Sequence, residues 1–229
     1  MFAFDEGQPN CDAGNRRRGS NRPGKNLSGE PATFRFQNTR AVAGLAPEPT
    51  ALDESLQRVP DEVERLLTAG TGVGDAVATL KDAAYAVVSG RGLMMGTALE
   101  TALKLEETCL RPVRGYSYAD LRHGPISVVT SGMTALLVAA ADGPMLQPMV
   151  ELAGDLAGRG ATVAGSGGDA AFAAACAAHV PGPDLPEAVA PLGAIIPAQL
   201  IVESLARALG LDPDNPRGLA KVTATDPHS

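Results

Sequence analysis

Tryptophan is absent from this 229-residue chain and aromatic residues make up only 3% of it, yet an apolar fraction of 45% is enough to build the buried core of one domain. Cysteine is scarce, and Cys11, Cys109 and Cys176 are far apart in sequence, which fits neither a disulfide framework nor paired zinc ligands. No uncharged apolar run reaches eighteen residues, and the N-terminus lacks the pattern of a secretory signal. These absences predict a soluble cytoplasmic protein without a membrane span, a metal site or a cofactor.

The net charge of −7 conceals two regions of different composition. Residues 1–40 hold seven basic and four acidic residues, a balance of +3, which leaves −10 for the rest of the chain. The same residues contain four of the five phenylalanines and show no helical or strand period. This composition predicts a disordered or non-native N-terminal segment. A nucleic-acid partner is not expected, because a basic arm of that kind needs a basic body behind it and this body is acidic.

From Ala41 onward the hydrophobic pattern becomes that of a globular domain. Residues 41–83 are predicted to be a helical lead-in, with two short helices before and after Pro60 and a third at 74–82. Short apolar runs typical of buried strands then alternate with segments of helical period. The runs are 84–90, 134–141 and 161–165, and the helical segments are 95–109, 145–158 and 197–209, the last with Pro197 in its first turn and Gly210 as its stop.

This alternation predicts an α/β fold, with a doubly wound parallel sheet over 84–210 and a tail at 211–229. Ligands of such sheets bind at the carboxyl ends of strands, which directs attention to SGRGLMMG at 89–96. Its first four residues are candidates for binding an anion at the N-terminus of the next helix: Ser89, Gly90, Arg91 and Gly92. A dinucleotide fingerprint is the alternative, but Arg111–Arg114 stand about where its acidic residue should follow.

The helix after this loop carries Glu100, Lys104 and Glu107 at spacings of four and three, which puts them on one face. The ordinary interpretation is an exposed ion-paired stripe, and a functional role competes with it because the strand-end loop is expected nearby. A second polar cluster, GYSYADLRHGP at 115–125, contains His123, one of only three histidines. It is interpreted either as a capped loop or as a segment that presents His123 for chemistry.

Three segments in this order are similar to a known family: ETALKLEETC at 100–109, GYSYADLRHGPISVV at 115–129 and DPDNPRGLAK at 212–221. They resemble the second, C-terminal sugar isomerase (SIS) domain of the glutamine–fructose-6-phosphate aminotransferases. The resemblance implies a five-stranded parallel sheet flanked by helices in a flavodoxin-like arrangement, a homodimer, and binding of a carbohydrate derivative, a phosphosugar. It also implies isomerisation of fructose-6-phosphate in amino-sugar metabolism.

The resemblance assigns catalytic roles to Glu107, His123 and Lys221. Glu107 matches the glutamate that moves a proton between C2 and C1, and His123 matches the histidine that assists ring opening and reaches into the partner subunit's site. Lys221 matches the lysine that forms an imine with the open-chain ketose. Lys104 joins residues 89–92 as a candidate substrate-binding residue. Glu107, His123 of one subunit and Lys221 are expected to converge at the carboxyl end of the sheet, near the 89–96 loop.

Two positions depart from the family pattern, because Glu106 stands where lysine is usual and Arg114 where glutamate is usual. The family's first SIS domain supplies a Ser/Thr-rich loop that cradles the sugar phosphate, and no such loop occurs upstream of Ala41. The expectation is therefore a truncated isomerase half, for which a separate chain would supply the first SIS domain. A non-catalytic phosphosugar-sensing regulatory module and an inactive truncated gene product remain the alternatives.

Overall fold

The computed structural model describes residues 49–218, and this region begins with three helices. They are α1 (Pro49–Gln57), α2 (Val59–Ala69) and α3 (Val73–Lys81). The predicted pair of helices around Pro60 is confirmed, and Pro60 lies in the first turn of α2, where its missing N–H costs no helix hydrogen bond. The predictions for residues 1–40, and the one for Lys221, fall outside the described residues.

Five parallel strands form one sheet in the order β2-β1-β3-β4-β5. The strands are β1 (Tyr85–Gly90), β2 (Val113–Ser117), β3 (Met133–Ala139), β4 (Thr162–Gly167) and β5 (Ala178–Val180). Every residue of the central strand β3 is buried, as expected of a strand that is covered on both faces. The predicted doubly wound sheet is confirmed, and its order reverses between β1 and β3, which pair directly.

Helices cover both faces of the sheet. The remaining helices are α4 (Met94–Cys109), α5 (Tyr118–Arg122), α6 (Leu146–Gly158), α7 (Ala170–Ala174) and α8 (Pro191–Ala208), and a single 3₁₀ turn spans Pro125–Val128. One core cluster joins α3, α4 and α8 to side chains such as Val88 of β1. The other joins α5, α6 and α7 to the opposite face, which includes Val87. Within residues 49–218, none of the helices is both long and apolar enough to span a membrane.

The predicted start of the last helix is wrong, because α8 begins at Pro191 and runs through Pro197. Pro191 takes the place in the first turn that had been assigned to Pro197. Inside the helix, Pro197 has no N–H to donate to the carbonyl of Gly193, four residues earlier. The helix continues because Pro197 is buried with neighbours such as Ala198 and Ile201 on the side of α8 that packs mainly on α2, α3 and α4, and this packing outweighs the lost bond.

Neither edge strand was predicted from the hydrophobic pattern of the sequence. β2 has an exposed Arg114 and a central Gly115, and β5 is only three residues long, so neither forms a continuous apolar run. The short helices α5 and α7 were missed as well, although each has a capping signal. Ser117 Oγ accepts a hydrogen bond from Asp120 N at 3.0 Å, and Asp169 Oδ1 accepts one from Phe172 N at 2.9 Å.

Candidate functional site

The outer face of α4 carries the charged triad that the sequence predicted. Lys104 Nζ lies 2.6 Å from Glu107 Oε2 and 3.7 Å from Glu100 Oε1, so one ammonium bridges two carboxylates along one side of the helix. The hydrogen bond from Lys104 to Glu107 is the main cause that raises the pKa of Lys104. Lys104 is therefore a cation at neutral pH, and it holds the Glu107 carboxylate in a defined position at the surface.

Exposed apolar side chains accompany this triad. Leu99 and Leu103 on the same helix are 39% and 43% exposed, and Leu110, directly after the helix, is 40% exposed. The opposite side of α4, including Ala98, Ala102 and Leu105, is buried against the sheet and α8. The outer face of α4 is consequently a mixed surface, with charged groups that could act on a substrate and apolar groups that another protein surface could cover.

The expected convergence of Glu107 with the strand-end loop is contradicted by the structure. The loop at 89–96 leads into the first turn of α4, whereas Glu107 lies in its last turn, thirteen residues after Met94. At a rise of about 1.5 Å per residue, these two ends of the helix are about 20 Å apart. Lys104 belongs to the Glu107 end. The candidate residues 89–92 and the charged triad thus form two separate places on the molecule.

The strand-end loop itself is closely packed. Ser89 is fully buried, and its Oγ has no hydrogen-bond partner within residues 49–218. A Cβ built at Gly90 would lie 2.6 Å from the carbonyl oxygen of Met94, so only glycine fits there. The Arg91 guanidinium lies over the ring of Tyr118, 4.2 Å from its centroid, and Arg122 also lies over this ring at 5.1 Å. Ser89 and Gly90 therefore leave no backbone for a ligand to approach, whereas Gly92, Leu93, Met95 and Gly96 of the same loop are exposed.

His123 is exposed and lies just past the end of α5. Its backbone N–H donates to the carbonyl of Ala119 at 3.0 Å, and Gly124 follows with a φ of 147°, a conformation that favours glycine. Leu121 packs α5 on the sheet face opposite to the face that α4 covers. Within one chain, therefore, His123 and Glu107 do not share a site.

The two positions that depart from the family pattern are both exposed, near the edge strand β2. Arg114 points over the ring of Tyr116, with its guanidinium carbon 6.0 Å from the ring centroid. Cys109, in contrast, is buried, its Sγ donates to the carbonyl of Val202 at 3.3 Å, and burial raises the pKa of its thiol to about 11. Burial raises the pKa of Cys176 to about 11 as well, so both are inert thiols at neutral pH.

A segment that sequence reasoning missed lies over the carboxyl end of the sheet. Residues 181–190 connect β5 to α8, and we call them the strap. The strap is held by α2, since Arg65 donates to the carbonyl of Gly182 at 2.9 Å and Asp184 N donates to Glu62 Oε2 at 2.8 Å. Farther along, Glu187 N donates to Asp142 Oδ1 at 2.7 Å. Prolines at 181, 183 and 186 were the available signal of an extended connection.

Two cavities within the described residues are small. One between β1, β2 and α8 has a volume of about 10 Å³, and one between α2 and α8 has about 60 Å³. Pockets for small molecules usually measure about 300–1,000 Å³, and neither cavity is lined by the triad or by the strand-end loop. Neither of these two cavities encloses the triad.

Comparison with curated proteins identifies relatives among the isomerizing glutamine–fructose-6-phosphate aminotransferases. The chain is 32% identical over 184 residues to the isomerizing glutamine–fructose-6-phosphate aminotransferase of Methanothermobacter thermautotrophicus, covering 79% of this chain and 30% of the relative. It is 32% identical over 170 residues to the same enzyme of Thermococcus kodakarensis, covering 74% of this chain and 28% of the relative. The chain thus spans about a third of the length of these relatives. No model of a known protein family matches it.

Comparison with solved structures identifies proteins with the same fold. The C-terminal domain of glucosamine-fructose-6-phosphate aminotransferase from Francisella tularensis aligns with a TM-score of 0.64 at 23% identity, covering 71% of this chain and 47% of that one. A protein described as a phosphosugar isomerase from Silicibacter pomeroyi aligns with a TM-score of 0.59 at 28% identity, covering 72% and 49%. The chain carries a sugar isomerase (SIS) fold and is homologous to part of the glutamine–fructose-6-phosphate aminotransferases.

Proposed function

We propose that this domain supplies the proton-transfer surface of an enzyme that isomerises a phosphosugar, with Glu107 as the base. The observation that carries the proposal is the 2.6 Å contact between Lys104 Nζ and Glu107 Oε2 on the exposed face of α4. An ordinary surface ion pair contributes at most about 1 kcal/mol to stability. A carboxylate that is positioned at the surface by a lysine, beside uncovered leucines, is better explained by a role in a shared site.

The chemistry requires one base that reaches two adjacent carbons. To convert a ketose into an aldose, a carboxylate takes a proton from C1, the electrons of that C–H bond form a C1=C2 double bond, and the C2=O π electrons move to the C2 oxygen, which gains a proton. The C1 hydroxyl of this enediol then loses its proton to form the aldehyde, while the C1=C2 electrons take the proton back from the carboxylic acid at C2. Lys104 keeps the Glu107 side chain in one place, and it carries a positive charge that stabilises the negative charge developing on the sugar oxygen. Lys221 would form the imine that the resemblance assigns to it.

Substrate binding in this proposal depends on a further SIS domain, which covers the outer face of α4 and holds the phosphate of fructose-6-phosphate. The exposed Leu99 and Leu103 would form the contact. The relatives support this view, because this chain matches only about a third of their length. The further domain would be provided by a separate chain or by another region of a longer one. Isomerisation alone would yield glucose-6-phosphate, and glucosamine-6-phosphate would be the product only where ammonia replaces the C2 oxygen, with loss of water, before the proton transfer.

A coupled isomerase assay tests the proposal. The chain is assayed alone and together with the first isomerase domain of the Thermococcus relative, with fructose-6-phosphate as substrate. We expect negligible turnover for the chain alone and measurable turnover for the pair. The Glu107→Gln variant should then lose about 10²- to 10⁴-fold in turnover, the usual contribution of a general base.

The matched control is Glu106→Gln, which removes the neighbouring exposed carboxylate from the same helix turn. Equal losses in both variants would contradict the role of Glu107, and so would a pair that binds the substrate without turning it over. Micromolar binding of fructose-6-phosphate to the chain alone, measured by calorimetry, would show instead that one SIS domain forms the whole site.

The proposal includes a cytoplasmic homodimer in which His123 serves the partner subunit's site. It is supported by the separation of His123 and Glu107 on opposite faces of the sheet. Mixing the inactive Glu107→Gln and His123→Ala variants should restore activity, because each mixed dimer contains one site with both groups intact. Random mixing would return about a quarter of the wild-type rate in a two-fold symmetric dimer. Absence of any recovery from mixed dimers would contradict the exchange of His123.

A further inference from the structure

The strap brings an acidic side chain to the place where sheets of this class usually bind ligands. The strand order reverses between β1 and β3, and the carboxyl ends of these two strands form the switch-point crevice. The chain that leaves β1 enters α4, and the chain that leaves β3 enters α6. The N-termini of these two long helices favour negative charge at this position, as they do in phosphate-binding proteins of similar topology.

The carboxylate of Glu187 lies between the two glycines that border this crevice. A Cβ built at Gly92 would lie 2.9 Å from Glu187 Oε1, and one built at Gly143 would lie 2.1 Å from Glu187 Oε2. Both glycines have positive φ values, 60° and 88°, so the backbone on each side is shaped to leave this space open. The space is filled by the carboxylate of the same chain.

We propose that Glu187 is an internal anion that occupies the switch-point crevice of this sheet and excludes phosphate-bearing ligands from it. The strap delivers it, and the hydrogen bond from Glu187 N to Asp142 Oδ1 fixes the approach of the strap to the β3 end of the crevice. Asp142 adds a second negative charge at the same place. A phosphate dianion that entered the crevice would thus meet two carboxylates in addition to lacking room.

A buried polar group beside the crevice is consistent with an anion position there. Ser89, the residue before the last of β1, is fully buried, and its Oγ has no hydrogen-bond partner within the described residues. Such a hydroxyl is costly unless something satisfies it. Burial and the charge of Asp142 raise the pKa of Glu187, so its carboxylate is held there against an electrostatic penalty.

This inference rests on the fold alone and not on the proposed isomerisation. It states that residues 89–92 do not bind the substrate in the wild-type chain, and it would hold even if Glu107 had no catalytic role. Conversely, an open crevice would leave the chemistry on the outer face of α4 unaffected.

The test is a titration of the full chain and its Glu187→Ala variant with inorganic phosphate. We expect the amide resonances of Gly92 and Gly143 to shift with millimolar phosphate in the variant and to remain unchanged in the wild type. When phosphate is about tenfold above its Kd, the melting temperature of the variant should rise by about 3–6 °C. Asp184→Ala is the matched control, since Asp184 is a strap residue whose carboxylate faces Arg58 rather than the crevice.

A second variant decides the question if Glu187→Ala does not fold. Glu187→Gln keeps the shape of the side chain and removes its charge, and it should shift the amide resonances of both Gly92 and Gly143 without any ligand. Unchanged resonances in Glu187→Gln would overturn the proposal. It would also be overturned by phosphate-induced shifts of these glycines in the wild type, or by a folded Glu187→Ala variant that does not respond to phosphate.

Discussion

At the carboxyl edge of the sheet the chain closes over itself, whereas along the outer face of α4 it leaves charged and apolar groups uncovered. The carboxyl edge is where ligand sites of doubly wound sheets occur, yet here the strap and Glu187 fill it. The outer face of α4 is an ordinary helix surface in most such folds, yet here it carries a bridged triad and two exposed leucines. Because a fold by itself does not fix where chemistry occurs, the site must be argued from side chains.

The two faces of α4 provide the largest expected difference. Leu105 is fully buried against the sheet and α8, so Leu105→Ala should lower the free energy of unfolding by about 2–5 kcal/mol. Leu103, two residues earlier, is 43% exposed. Leu103→Ala should therefore change the free energy of unfolding by less than about 0.5 kcal/mol. Urea denaturation of both variants measures this. A large loss for Leu103→Ala would mean that the outer face already has a partner within the chain.

Two glycines that are four residues apart sharpen the comparison between the crevice and the helix. Gly92 has a φ of 60° and would place a Cβ against Glu187, so Gly92→Ala should cost about 1–2 kcal/mol. Gly96 is helical, and its Cβ would meet nothing within 4 Å, so Gly96→Ala should stabilise the chain by about 0.5–1 kcal/mol. Thermal denaturation should show shifts of opposite sign. A higher melting temperature for Gly92→Ala would contradict the closed geometry at Gly92.

Two carboxylates that touch the strap should respond to pH in opposite directions, with the smallest effects of this series. The hydrogen bond from Arg65 lowers the pKa of Glu62, so Glu62 contributes stability above its ordinary pKa of 4.5, which is lost as the pH falls through its folded-state pKa. Burial and, second, the charge of Asp142 raise the pKa of Glu187. The stability linked to its neutral form is therefore fully present below pH 4.5, the ordinary pKa, and is lost as the pH rises through the folded-state pKa.

Melting temperatures measured from about pH 3 to about pH 7 check this contrast. At neutral pH, Glu62→Gln should melt below the wild type and Glu187→Gln above it, and both differences should shrink in acid. A lower melting temperature for Glu187→Gln at neutral pH would show that the carboxylate is a stabilising partner of the two helix N-termini, contrary to the penalty inferred from its burial.

The charged triad and the central strands could be predicted because their signals are local. Spacings of four and three placed Lys104 between two glutamates, and apolar runs located β1, β3 and β4 within two residues. The helix that contains Pro197 was started too late, since a proline within a helix is tolerated only when tertiary packing compensates for it. The short strands β2 and β5 form because they pair with β1 and β4. Segments this short show no hydrophobic periodicity of their own from which a strand could be predicted.

By itself, the sequence determined the alternation of strands and helices, the shared face of Glu100, Lys104 and Glu107, and the likeness to sugar isomerase domains. Each of these depends on residues that are near one another in the chain or on their order along it. Only the tertiary structure decided that Glu107 lies a helix length away from the 89–96 loop, and that Glu187 reaches Gly92 and Gly143. The physical reason is that these relations depend on how strands are ordered and how a distant connection crosses the sheet, which no local pattern of polarity encodes.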